Sequence, residues 1–103
     1  MDTTQTSEWT FLTNHGHVLA YIANHPRSTI RSIAAAVGIT ERGTQKIITA
    51  LEADGYVARH RRGRCNHYTV NPDLPMRHSM EREHAVRDLL QALGCVLKPD
   101  RAD

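Results

Sequence analysis

The chain has 103 residues, 40% of them hydrophobic and 23% charged, with a formal net charge of +2. That length makes one domain with one modest core, and the composition is ordinary for a globular chain. It excludes a membrane-spanning helix, which needs ~20 consecutive apolar residues, and Met1–Thr10 lacks the basic and apolar regions of a secretory leader. Cys65 and Cys95 make neither a disulfide framework nor a zinc pattern, so a cytoplasmic setting is expected.

Residues 1–8 are polar and read as a flexible N-terminus. Trp9, Phe11 and Leu12 follow; they include the only Trp and the only Phe of the chain, and burial against the core or a dimer seam is expected for them. Thr13 is placed to cap a helix over 14–24 with Val18, Leu19 and Ile22 on one face, although Gly16 weakens its first turn. The His25-Pro26 step ends that helix, because a residue before proline avoids the helical region. The spacing of Ile30, Ile33, Ala34 and Val37 predicts a second helix, stopped by Gly38, which accepts the left-handed conformation. Thr40 is a good cap for a third helix over 41–54, with Ile47, Ile48 and Leu51 inward and Arg42, Thr44, Gln45 and Lys46 toward solvent.

After Gly55 the period changes. Residues 56–61 and 64–70 read as two strands about a Gly63 turn. Pro72 and Pro75 make a stiff exit, and a helix from about Arg77 to Leu93 is predicted next, with Met80, Val86, Leu89, Leu90 and Leu93 as its apolar positions and Leu97 continuing the stripe. Residues 98–103 are a charged tail. Two short helices about a Gly-containing turn make a helix-turn-helix, and a basic hairpin directly after it completes the plan of a winged helix. The expected fold class is therefore mainly α with a small β-hairpin (α+β), an additional amphipathic helix following the wing. The domain would span 9–75 and a dimerisation helix 76–97.

Charge is uneven along this plan. Residues 40–70 carry six basic groups (Arg42, Lys46, Arg59, Arg61, Arg62, Arg64) against three acidic ones (Glu41, Glu52, Asp54). The excess lies on the third helix and the hairpin, where a nucleic-acid footprint would fall. Residues in the first turns of a helix seated in the major groove reach base edges. Arg42 suits guanine and Gln45 adenine; Thr40, Thr44 and Lys46 suit phosphates or bases; Gly43 would allow close approach to the DNA backbone. Arg59, Arg61, Arg62, Arg64 and Asn66 would place the wing on the minor groove or on phosphates.

The segments Gly38-Ile39-Thr40-Glu41-Arg42 with Gln45, Leu51-Glu52 with Gly55-Tyr56, Gly63-Arg64, and Tyr68 with Val70-Asn71-Pro72 together resemble bacterial and archaeal winged helix-turn-helix transcriptional regulators, MarR-like and ArsR-like proteins being the nearest named relatives. The resemblance covers roughly Trp9–Gly94. It implies a homodimeric repressor or activator on an inverted-repeat duplex operator in a prokaryotic, nucleoid-associated setting, and it names no effector. The chain departs from MarR proteins in having only a short aromatic segment in front, and from ArsR metal sensors in having no cysteine on 30–37. Two other readings stay open: a chromatin-like DNA binder of low sequence preference, and a winged-helix protein-interaction module.

No catalytic set, phosphate loop or paired carboxylate stands out, so an enzyme is not expected. Of seven histidines, His15/His17 and His78/His84 have poor chelating spacings; Cys65 and His67 alternate on one strand face and form the best pair. No metal or cofactor is assigned.

Overall fold

The computed structural model describes residues 9–63 and 65–95, with the side chains of Arg62 and Cys65 outside that description. The element order is α1 (Asn14–Asn24), α2 (Ile30–Val37), α3 (Glu41–Ala53), β1 (Val57–Arg62), β2 (Cys65–Val70) and α4 (Val86–Ala92). This is the α+β architecture expected, three helices and a hairpin with a fourth helix behind them. No helix among the described residues is long and apolar enough to cross a membrane.

Each of the first three helices begins on a threonine in extended conformation whose hydroxyl accepts an otherwise orphaned N–H: Thr13 from Gly16, Thr29 from Ser32, Thr40 from Gly43. Gly16 has a packing reason to be there, since a Cβ would stand 3.2 Å from Leu12 Cβ. At the far end of α2, Gly38 adopts φ 88, and its N–H and that of Ile39 both reach the Ala34 carbonyl. That reversal turns the chain within three residues into α3. Val18 and Ile22 of α1, Ile33 of α2 and Ile48 of α3 have no exposed surface and form the centre of the core, with Tyr56, Val57 and Tyr68 closing it from the hairpin.

The strands are antiparallel, with Val57 opposite Val70 and Arg62 opposite Cys65, which leaves a two-residue connection opened by Gly63 at φ 60. The Tyr68 N–H donates to the Pro26 carbonyl at 2.7 Å, so the hairpin is fastened to the α1–α2 connection, a contact for which the sequence has no local signal.

Two expectations are corrected. The helix expected from Arg77 to Leu93 is confined to Val86–Ala92. Residues 77–85 contain one large apolar side chain, Met80, and it is 86% exposed, so a helix there would have no face to bury. The backbone instead closes on itself through a Pro75–Ala85 bridge and a hydrogen bond from Met76 N–H to His84 C=O. Ala85 supplies no side-chain cap; the Val86 and Arg87 N–H groups donate to Leu74 and Pro72 carbonyls, so the proline-rich exit caps α4. Val86 and Leu90 are then buried in the domain's own core. Beyond α4, Cys95 is buried; desolvation pushes its thiol pKa up, with a smaller opposing influence from Asn24. The second correction concerns Trp9 and Phe11, which are exposed (67% and 93%) and packed edge-on against each other rather than against the core.

Candidate nucleic-acid interface

The outward face of α3 follows from helical geometry. Thr44, Ile48 and Leu51 recur at i, i+4 and i+7, and all three are buried. The opposite stripe is exposed and carries Arg42, Gln45, Lys46 and Thr49. None of these four makes an ion pair among the described residues. The face is therefore a basic and hydrogen-bonding surface that no described residue satisfies with an ion pair.

The remaining residues expected at the start of α3 have structural work. Thr44 is wholly buried and its hydroxyl donates to the Thr40 carbonyl at 2.9 Å, so its expected solvent orientation and contact to DNA are corrected. The i, i+4, i+7 spacing to Ile48 and Leu51 was the signal for this. Thr40 is exposed, with its hydroxyl accepting the Gly43 N–H at 2.9 Å. Gly43 serves that cap as well, because a Cβ would stand 3.2 Å from Thr40 Oγ1. Thr49, which was not among the expected contacts, lies seven residues after Arg42, close to two turns, on the same line of the helix.

On the wing, Arg59 grips Glu52 of α3 with Nη2 to Oε1 at 2.8 Å and Nε to Oε2 at 3.3 Å, both side chains about three-quarters covered. The bond to Glu52 is the main reason that the guanidinium pKa is raised. Arg59 is thereby spent on holding the wing to α3 rather than presented to a ligand. Glu52 lies two turns beyond Gln45, so the wing is fixed along the flank of α3 that bears Gln45. Strand alternation puts Arg61 and its partner Asn66 on the same wing face as Arg59, farther toward the tip. Arg61 is exposed, its Nε bonded to the Gly63 carbonyl at 3.1 Å. Asn66 is half-buried. Arg64 and the Arg62 side chain, both expected on DNA, lie outside the described residues.

The opposite wing face carries His60 against His67, ring centroids 6.5 Å apart. Among the described residues no group of three or more histidine, cysteine or acidic side chains is placed to hold a metal. The six residues expected to pair subunits are scattered: Val86 and Leu90 are internal, Leu89 is half-buried, Met80 and Leu93 are exposed, and Leu97 lies outside the described residues.

Comparison with known proteins bears on the fold. Residues 12–58 match the family described as winged helix-turn-helix DNA-binding. No curated protein matches. Among solved structures, the chain is similar to MepR, a transcription regulator of the Staphylococcus aureus multidrug efflux pump MepA, at 17% identity and a TM-score of 0.55 over 78% of this chain and 55% of that one. It is also similar to ZitR, a zinc-responsive MarR family member from Lactococcus lactis, at 19% identity and a TM-score of 0.50 over 63% of this chain and 46% of that one. The chain thus spans about half the length of these structures. From α1 to the start of the hairpin the sequence matches a winged helix-turn-helix DNA-binding domain, and the three helices and hairpin have the fold of a winged helix.

Proposed function

We propose that this chain is a transcriptional regulator that binds double-stranded DNA as a homodimer, with α3 in the major groove and the wing tip on the minor groove or the phosphates. One observation carries the reading. The exposed stripe Arg42, Gln45, Lys46 and Thr49 makes no ion pair among the described residues, and the wing beside it is fixed by the Arg59–Glu52 pair. A helix fits the major groove, arginine and glutamine each have a bidentate match among the base edges, and a rigid wing lets the two elements meet one duplex together. MepR, which shares the fold, is a transcription regulator, and ZitR, which shares it too, is a zinc-responsive MarR family member. Binding is the whole of the proposed activity, with no chemical step.

Dimerisation belongs to the proposal because one short helix reads few base pairs, and a two-fold protein reads an inverted repeat. With Val86 and Leu90 internal, the surface left for a second copy is Trp9, Phe11, Met80 and Leu93, the large exposed apolar side chains of the described residues.

The test is selection of bound duplexes from a random library at about 150 mM salt, where nonspecific phosphate binding is weak, using wild type beside an Arg42→Ala/Gln45→Ala variant. Enrichment of an inverted repeat that changes or disappears with the variant is expected. Binding without an enriched motif would replace sequence reading with a chromatin-like role, and folded protein that binds no duplex would leave the interaction module.

A further inference from the structure

Thr49 stands at the middle of the exposed stripe of α3. Gln45 precedes it by four residues and Lys46 by three, so the two long polar side chains flank it one turn toward the N-terminus, and Arg42 lies in line with it one turn further. Beyond Thr49 lie Ala50 and Ala53, with Glu52 on the Gln45 flank held in its pair with Arg59; Thr49 and the two alanines line a shallow apolar recess together with Glu41, Arg42, Gln45 and Lys46. Apart from Glu52, which is turned into its pair with Arg59, the C-terminal half of the reading face has no side chain longer than threonine and can lie close against whatever the N-terminal half grips. Threonine is also a poor choice for an exposed helix interior on stability grounds, since its branched side chain loses rotamer freedom there. A small methyl-bearing side chain at that place matches one partner in the major groove. Of the four bases only thymine presents an apolar group there, its C5-methyl, which threonine and alanine methyl groups contact.

We propose that Thr49 is a specificity-determining residue that reads a thymine through contact between its γ-methyl and the C5-methyl, about two base-pair steps from the base read by Gln45. This rests on the reading of α3 as the major-groove helix. Four residues of helix rise about 6 Å, close to two base-pair steps of 3.4 Å, so one side chain does not cover both positions. Ala53, in line with Thr49, would border the same methyl.

The experiment uses the duplex enriched by the full-length protein, with each thymine of a half-site replaced singly by deoxyuridine. That change removes the C5-methyl and leaves base pairing intact. Affinities are measured by fluorescence anisotropy for wild type, Thr49→Ser, which keeps the hydroxyl and loses the methyl, and Thr49→Val, which keeps the methyl and loses the hydroxyl. The wild type should lose about four-fold at one position per half-site, the loss expected for one methyl-sized apolar contact. Thr49→Ser should bind the thymine duplex about four-fold more weakly and be indifferent to uracil there, while Thr49→Val should keep the uracil penalty. An unchanged penalty in Thr49→Ser, or no sensitive position in wild type, overturns the thymine assignment while leaving α3 as the reader. Equal weakening of Thr49→Val on every duplex, with no uracil effect, would make Thr49 a phosphate contact and overturn it also. Failure of any sequence to enrich removes the major-groove reading itself, and this inference with it.

Discussion

At the scale of single residues, α3 divides cleanly into side chains that hold the fold and side chains free to bind. Thr40 belongs to the first group: its hydroxyl satisfies the Gly43 N–H, and Thr40→Ala should cost about 1 kcal/mol in urea unfolding, with any loss of DNA affinity no larger than the lost stability explains. Arg42 and Gln45 belong to the second. Their exposure means that Arg42→Ala or Gln45→Ala should leave the urea midpoint unchanged while removing about 1–3 kcal/mol of discrimination at one base pair each. A shifted midpoint in either variant would contradict their assignment to a free face. The spacing of Thr44 to Ile48 and Leu51 is that of one helix face, which outweighs its polarity and sets it apart from this group. The Arg59–Glu52 pair had no such signal. Seven residues and a change of element separate the partners, and only the packing of the hairpin on α3 brings them together.

At the scale of elements, legibility followed the range of the interactions involved. The helix-turn-helix boundaries were readable because threonine caps and Gly38 act within a turn of themselves, and the hairpin because Gly63 sits between two alternating runs. The start of α4 was not, since its first N–H groups are satisfied by carbonyls of Pro72 and Leu74 that no helical pattern reveals. The consequence is measurable. Leu90 is fully buried in the core shared with α1 and the hairpin, so Leu90→Ala should destabilise the whole domain by about 2–5 kcal/mol in a single cooperative transition. Loss of helix signal without a change in the global midpoint would show that α4 is an appendage. The wing is a second case. Glu52→Gln removes the charge that holds Arg59, and DNA binding should weaken although residue 52 touches no DNA in this account. Circular dichroism should show the fold retained.

For the whole molecule, the question is how one short reading helix becomes a specific reader. The proposed answer is a second copy, joined over the apolar side chains left in the open. Phe11→Asp/Leu93→Asp should shift sedimentation from dimer to monomer, leave the unfolding midpoint of the domain nearly unchanged, and reduce affinity for an inverted repeat far more than for a single half-site. A variant that remains dimeric would move the seam elsewhere. The measurement that tests the central claim most directly is residue-by-residue amide chemical-shift mapping of the full chain as excess duplex is added. The largest changes are expected on Arg42, Gln45, Lys46 and Thr49 and on the wing tip around Arg61 and Asn66, with the buried Thr44–Ile48–Leu51 face and α1 little affected. Changes confined to Trp9–Leu12 and α4, or none at all from folded protein, would contradict it.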